Sequence, residues 1–225
     1  MNATEACIAL NMLPTVGPVR LRRLLEVFHE PQQILAAKRS DLRKVEGIGN
    51  EVAEQISNWE LTIDLATELQ RIRDFGVTVI TQQSPSYPQS LREIHAPPIV
   101  LYVWGELLDR DHHAIGVIGA RRTTHYGTES AKKLAYQLAY AGLTVISGLA
   151  RGIDTAAHQG ALAAKGRTIA VIGSGLGKLY PPENGPLAEK IYSGNGAIVS
   201  EFSSASRDDL DVFTDPEIRR APVVG

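Results

Sequence analysis

The chain has 225 residues, 44% of them hydrophobic and 21% charged, with a formal net charge of −2. That suffices for one large domain or two small ones, and it excludes a globally basic polyanion binder, so any electrostatic case for nucleic acid must be local. Cys7 is the only cysteine, which excludes an internal disulfide framework; no run of about 18 apolar residues occurs, and residues 1–6 lack a secretory pattern, so a soluble cytoplasmic protein is expected, away from the membrane.

Residues 1–80 read as a helical domain. Leu21, Leu24, Leu25 and Phe28 fall at i, i+3, i+4 and i+7 and make one apolar stripe. Val52 and Ile56 repeat the four-residue spacing. Leu61, Leu65, Leu69 and Ile72 predict one longer helix, ended by Gly76, and residues 77–80 predict a short strand. Two turns precede helices here: Leu13-Pro14-Thr15-Val16-Gly17-Pro18 and Val45-Glu46-Gly47-Ile48-Gly49. Each looks like the hairpin of a helix-hairpin-helix motif, whose backbone N–H groups, around Gly17, Gly47 and Gly49, contact DNA phosphate without reading sequence. The same turns also suit a packing domain that binds nothing.

Residues 81–98 are rich in Ser, Gln and Pro and read as an ordered connector, with Tyr87, Leu91 and Ile94 available for packing. From residue 99 to 202 apolar runs alternate with helices. Strands are predicted at 99–103, 114–118, 144–146, 168–172 and 197–200, and helices at 127–141, 156–164 and 187–192. The helix at 156–164 is built of small residues that can lie close to a sheet. Short apolar strands joined by helices imply an α/β fold with a parallel, Rossmann-like doubly wound sheet, covered on both faces.

Three successive strands run into glycine-containing loops: Gly119-Ala120-Arg121-Arg122, Ser147-Gly148-Leu149-Ala150-Arg151-Gly152, and Gly173-Ser174-Gly175. In such a sheet all three lie at the carboxyl edge, where ligands bind. Glycines let backbone approach a ligand, and helix N-termini attract anions, so phosphate is expected there. Strand–helix turns need glycine in any α/β protein; three such loops, two of them with arginine, favour the anion site. None is a G-x-x-x-x-G-K-[ST] loop or a G-x-G-x-x-G fingerprint. Arg121, Arg122, Lys132 and Lys133 against Glu129 leave a local excess of three positive charges, which suits a polyanion, although the two lysines also suit a solvated helix face. Asp154 and His158 stand at i, i+4. With no second ligand cluster a metal is not expected; Asp154 reads as a cap or an orienter of Arg151, and His158 as a helix-face hydrogen-bonder. No nucleophile–base pair is evident, and neither catalysis nor a cofactor is expected.

The chain resembles the DNA-processing protein A family, DprA, also called Smf. The resemblance runs over roughly residues 80–202. It is carried by Tyr87-Pro88 with Leu91, the run from Pro97 to Tyr102 with Gly105, and Gly116-Val117-Ile118-Gly119-Ala120-Arg121. Ser147-Gly148-Leu149-Ala150-Arg151-Gly152-Ile153-Asp154-Thr155-Ala156-Ala157-His158 is its most specific stretch, and Gly173-Ser174-Gly175-Leu176, Tyr180-Pro181-Pro182-Glu183-Asn184 and Ser200-Glu201-Phe202 complete it. The resemblance implies a homodimeric, non-enzymatic protein that binds single-stranded DNA with little sequence preference and helps load RecA recombinase in natural transformation. It carries DNA contact to Arg121 and the turn from Ser147 to Gly152, with the 173–175 loop and Lys178 as additions.

After Phe202 the sequence departs from the family. Where a basic F-P-x-R-N-R-I segment is expected, residues 203–225 form an acidic tail with Asp208, Asp209 and Asp211. A truncated or frame-shifted product, or a divergent short homologue, is the expectation; its sheet would lack strands, expose an apolar edge and face, and lose the dimer surface. Two rivals stay open: a non-functional remnant, and a nucleotide-processing enzyme of the phosphoribohydrolase type, whose P-G-G-x-G-T-x-x-E run is missing from this chain.

Overall fold

The apolar spacings of the first residues fold as helices. In α1 (Ala3–Met12) the Asn2 side chain accepts the Glu5 N–H while the Glu5 carboxylate accepts the Asn2 N–H. α2 (Pro18–Phe28), α3 (Pro31–Ala36), α4 (Arg39–Leu42) and α5 (Asn50–Ser57) follow. Their apolar faces meet in a core that includes Ile8, Leu10, Leu13, Leu24, Ile34, Leu42 and Ile56. The single helix expected over 61–72 is instead two, α6 (Trp59–Thr62) and α7 (Leu65–Asp74). Asp64 is the cause: its carboxylate accepts the N–H and the hydroxyl of Thr67, so a new helix starts there and Leu61 is left in solvent. Gly76, at φ +61°, closes α7 as expected. β1 (Thr78–Thr81) and α8 (Gln89–Arg92) come next. The Tyr87 hydroxyl donates to the Pro98 carbonyl at 2.9 Å, and the Gln82 amide donates to the Pro97 and Pro98 carbonyls. The structure, a computed structural model, describes residues 1–203; the acidic tail lies, from residue 204 on, outside the described residues. Two units result: Met1–Leu101 with Glu201–Ser203, and Tyr102–Ser200.

The second unit holds the sheet. β2 (Val100–Gly105) enters it at Tyr102. Then come β3 (Ala114–Gly116), α9 (His125–Tyr140), β4 (Thr144–Ser147), α10 (Ile153–Ala163), β5 (Thr168–Ile172), α11 (Gly185–Tyr192) and β6 (Gly196–Ser200). Within this unit the strand order is β2-β6-β5-β4-β3. β3, β4, β5 and β6 are parallel neighbours, with Ile146 beside Ile169 and Ile169 beside Ala197; β2 runs antiparallel to β6, with Tyr102 beside Ser200. The parallel α/β plan is therefore present. Its strands are sequential, so right-handed crossovers carry α9, α10 and α11 to one face: among the described residues this is the one-directional half of a doubly wound sheet. Ile115 and Ile118, in and beside edge strand β3, and Val171 in β5 are exposed.

The core under the helices joins Val117, Ala135, Ala139, Val145, Ala157 and Ala161. The small residues of α10 serve the helix pair as much as the sheet. A Cβ at Gly160 would lie 2.2 Å from the Lys132 carbonyl oxygen, so only glycine lets α9 approach this closely. At the opposite strand ends from the three loops, Arg167 and Asp111 form a buried, two-point ion pair, completed by the Leu108 N–H, the Thr144 hydroxyl and the Glu106 carbonyl.

His158 does bond from its helix face, but inward. Its Nδ1 lies 2.8 Å from Thr168 Oγ1, and that hydroxyl donates to the Val145 carbonyl, so Nδ1 carries the imidazole proton. Among the described residues Nε2 is buried without a partner. Burial holds the ring neutral and pushes its pKa down to about 3. The folded value lies below the unfolded value of about 6.5, so the unfolded state binds the extra proton and stability falls as pH drops from about 6.5 toward 3. Urea unfolding should show a loss of about 2 kcal/mol between neutral pH and pH 5 that His158→Leu removes; an unchanged pH slope in that variant would refute the assignment.

Candidate nucleic-acid interface

The three loops leave the carboxyl ends of β3, β4 and β5 and are tied to one another. The Ile153 N–H donates to the Ala120 carbonyl at 3.3 Å, joining the second loop to the first. The Asn184 amide donates to the Leu149 carbonyl and the Thr155 hydroxyl oxygen, joining the segment after the third loop to the second. The Ser200 hydroxyl donates to the Ser174 carbonyl, and the Ser174 hydroxyl to the Lys178 carbonyl. The three strand-end loops are thus tied into one rim.

The loop glycines leave room for their own neighbours in the fold. A Cβ at Gly119 would meet Ile153 at 2.7 Å, one at Gly148 would meet the Asp154 carboxylate at 2.7 Å, and one at Gly152 would meet the Ala120 carbonyl oxygen at 2.3 Å. Ser147 is buried and donates its hydroxyl to the Val117 carbonyl. Asp154 departs from its expected role as orienter of Arg151. It is buried under the turn, where burial raises its pKa and the N–H groups of Ala150, Gly119 and Gly148 act against that rise. The Ala150 N–H donates to the Asp154 carboxylate at 3.4 Å, so this loop N–H is turned toward a carboxylate of the protein itself. Ser174 and Gly175 likewise depart from expectation: both are buried, because β6 supplies Ser200 to the loop.

The loops leave cationic side chains in solvent, with Glu183 beside them. Gly119, Ala120, Arg121 and Arg122 are exposed in the first loop, Arg151 in the second and Lys178 after the third, with Gly173 half-buried. Lys132 and Lys133 are exposed along α9. Arg151 has its own partners: its Nε donates to the Glu183 carboxylate, and its Cζ stands 5.6 Å from the centre of the Tyr180 ring. The hydrogen bond from Arg151 holds the Glu183 carboxyl below the usual carboxylate range. Sequence reasoning missed Tyr180 and Glu183 as site residues; the only signal was their place in a Tyr-Pro-Pro-Glu-Asn run just after a glycine loop.

The first unit has a depression at its second hairpin, lined by charges of both signs. Both hairpins are pinned by apolar pairs, Leu13 with Val16 and Val45 with Ile48, all buried. The Val16 N–H donates to the Leu13 carbonyl and the Ile48 N–H to the Val45 carbonyl, so the two turns repeat one geometry. Gly47 takes φ +82°. α2 starts at Gly17 and α5 at Gly49, neither with a side-chain cap. Arg20, Arg43 and Lys44, with Glu46 and Glu51 among them, line a depression of about 750 Å³ together with Gly47, Gly49 and Asn50. Cys7 is buried in α1, its thiol pushed up to about 11 by burial and thus protonated. Among the described residues no group of His, Cys, Asp and Glu could hold a metal ion, and no helix is long and apolar enough to cross a membrane.

Residues 78–215 match the family model for DNA recombination-mediator protein A, and residues 8–58 match a SAM-like helix-hairpin-helix tandem. The Smf protein of Synechocystis sp. is 35% identical over 210 residues, covering 92% of this chain and 52% of its own. The crystal structure of DNA processing protein A from Streptococcus pneumoniae superposes with a TM-score of 0.73 at 27% identity, covering 92% of this chain and 70% of that one. DNA processing protein A from Helicobacter pylori, described for its single-stranded DNA binding mode, superposes with a TM-score of 0.52 at 29% identity, covering 59% of each chain. The chain spans about half, or less, of the length of the curated relatives it matches.

Proposed function

The chain belongs to the DNA recombination-mediator protein A family, and from that premise we propose that it binds the sugar-phosphate backbone of single-stranded DNA without sequence preference. The observation that carries the reading is the joined rim of loops that presents Arg121, Arg122 and Lys178 to solvent in a chain with net charge −2. Arginine grips phosphate oxygens in pairs, and counterion release makes such binding tight at low salt. Handing the strand to a RecA-type recombinase in the cytoplasm extends the same reading, as does pairing with a second copy. Residues 17, 47 and 49 of the hairpins, the last two lining the depression with Arg20, Arg43 and Lys44, are a second place for backbone contact.

The test is titration of single-stranded and double-stranded oligonucleotides of equal length at several salt concentrations. Tighter binding to the single strand, falling steeply with salt, is expected. Arg121→Ala should weaken binding to every sequence alike and lower the salt slope by about 0.7, one phosphate contact on a single strand. Unchanged affinity of that variant at low salt would remove the loop rim as the site.

A further inference from the structure

The rim accounts for the phosphates of a single strand but not for its bases. We propose that Tyr180 is a base-stacking platform, held in place by Arg151; this rests on the single-strand reading above. Tyr180 stands two residues after Lys178. The Arg151 guanidinium lies over its ring with Cζ 5.6 Å from the centroid, and Nη1 is 3.5 Å from the phenol oxygen. Glu183 fixes that guanidinium from its other side through Nε. Tyr180 nevertheless keeps 44% of its surface in solvent, so the ring is held by charge rather than buried in the core. An aromatic face left in water beside backbone-binding cations is what a base of any identity can cover, because every base has a π face. A ring already held by a cation also loses little rotamer freedom when a base arrives.

This gives Arg151 a role different from that of Arg121. Its guanidinium is committed to Glu183 and to the Tyr180 ring, which makes it a positioning residue for the platform. The exposed Tyr140 offers a contrast. It stacks on Tyr136 at the far end of α9, about 24 Å along the helix from the first loop, with no cation over its ring among the contacts described.

The experiment uses the full 225-residue chain, fluorescence anisotropy with a labelled oligo-thymidine strand, and an abasic strand of the same length. Tyr180→Ala should weaken binding to oligo-thymidine roughly five- to hundredfold and leave binding to the abasic strand unchanged. Tyr180→Phe should bind like the parent, and so should Tyr140→Ala. Arg151→Ala should weaken binding to oligo-thymidine without lowering the salt slope, whereas removing a phosphate ligand would lower it by about 0.7. Equal losses on both strands for Tyr180→Ala, or no loss on oligo-thymidine, would overturn the platform while leaving the single-strand reading intact. Failure of the parent chain to bind either strand would instead overturn that reading, and the platform with it.

Discussion

Asp111→Asn should destabilise the protein by about 3–5 kcal/mol, because it leaves the Arg167 guanidinium buried without its counter-charge. Arg167 and Asp111 are 6% and 11% exposed at their side chains, so water does not replace the lost partner. The carboxylate also accepts the Leu108 N–H at 2.8 Å and the Thr144 hydroxyl at 2.9 Å, so one residue ties the segment before β3 to the starts of β4 and β5. Burial alone would raise the Asp111 pKa; the Arg167 hydrogen bond, helped by Leu108 and Thr144, outweighs it and holds the carboxyl below its usual value. A depressed carboxylate stabilises the fold above the unfolded pKa of about 3.9, and that contribution is lost as pH falls through the folded value. Denaturant unfolding at pH 7 reads the effect. A double variant, Asp111→Leu with Arg167→Met, should lose less than Asp111→Asn, since no charge is then stranded. Equal or greater loss in the double variant would sink this account. The pair sits at the end of the strands away from the loops, so folded Asp111→Asn protein should still bind single strands.

Local signals carried the reading furthest where they were both short-range and uncontested. The sequence marks β5 residue for residue and Gly76 as the stop of α7, because a β-run or a helix end is written in a few adjacent residues. The stripe from Leu61 to Ile72 misled because a cap competes with periodicity: Asp64 takes the Thr67 N–H, and four well-spaced leucine and isoleucine positions do not prevent it. Within the rim, the loops were legible from their glycines, but the reason for the glycines was not. Gly148 faces the Asp154 carboxylate of α10, Gly119 faces Ile153, and Ser174 is closed over by a strand 26 residues on. Arg151 shows the same limit, since its partner Glu183 is 32 residues away and becomes visible only when the third loop folds back. Long-range pairing of polar groups leaves no periodic trace, so Arg167 with Asp111, 56 residues apart, left no mark on the pattern either.

Gly152→Ala should cost about 2–5 kcal/mol and lower single-strand affinity of the folded protein at least about tenfold, through two separate effects. The first is backbone strain. Gly152 sits at φ +83° and ψ −123°, a region that side chains avoid. The second is contact. An added Cβ would stand 2.3 Å from the Ala120 carbonyl oxygen and 2.7 Å from that of Arg121, both backbone atoms that cannot swing away as a side chain would. The first loop must therefore move, and with it the Ile153-to-Ala120 hydrogen bond and the position of Arg121. Gly142→Ala separates the two effects, because Gly142 also has a positive φ, +90°, but open space where its Cβ would go. That variant should carry strain alone: a smaller loss of stability by denaturant unfolding, and unaltered binding by anisotropy. Matching losses in the two variants would mean that the first two loops do not depend on their backbone contact. A loss of binding confined to Gly152→Ala would mean that the rim works only while its first loop is pressed against its second.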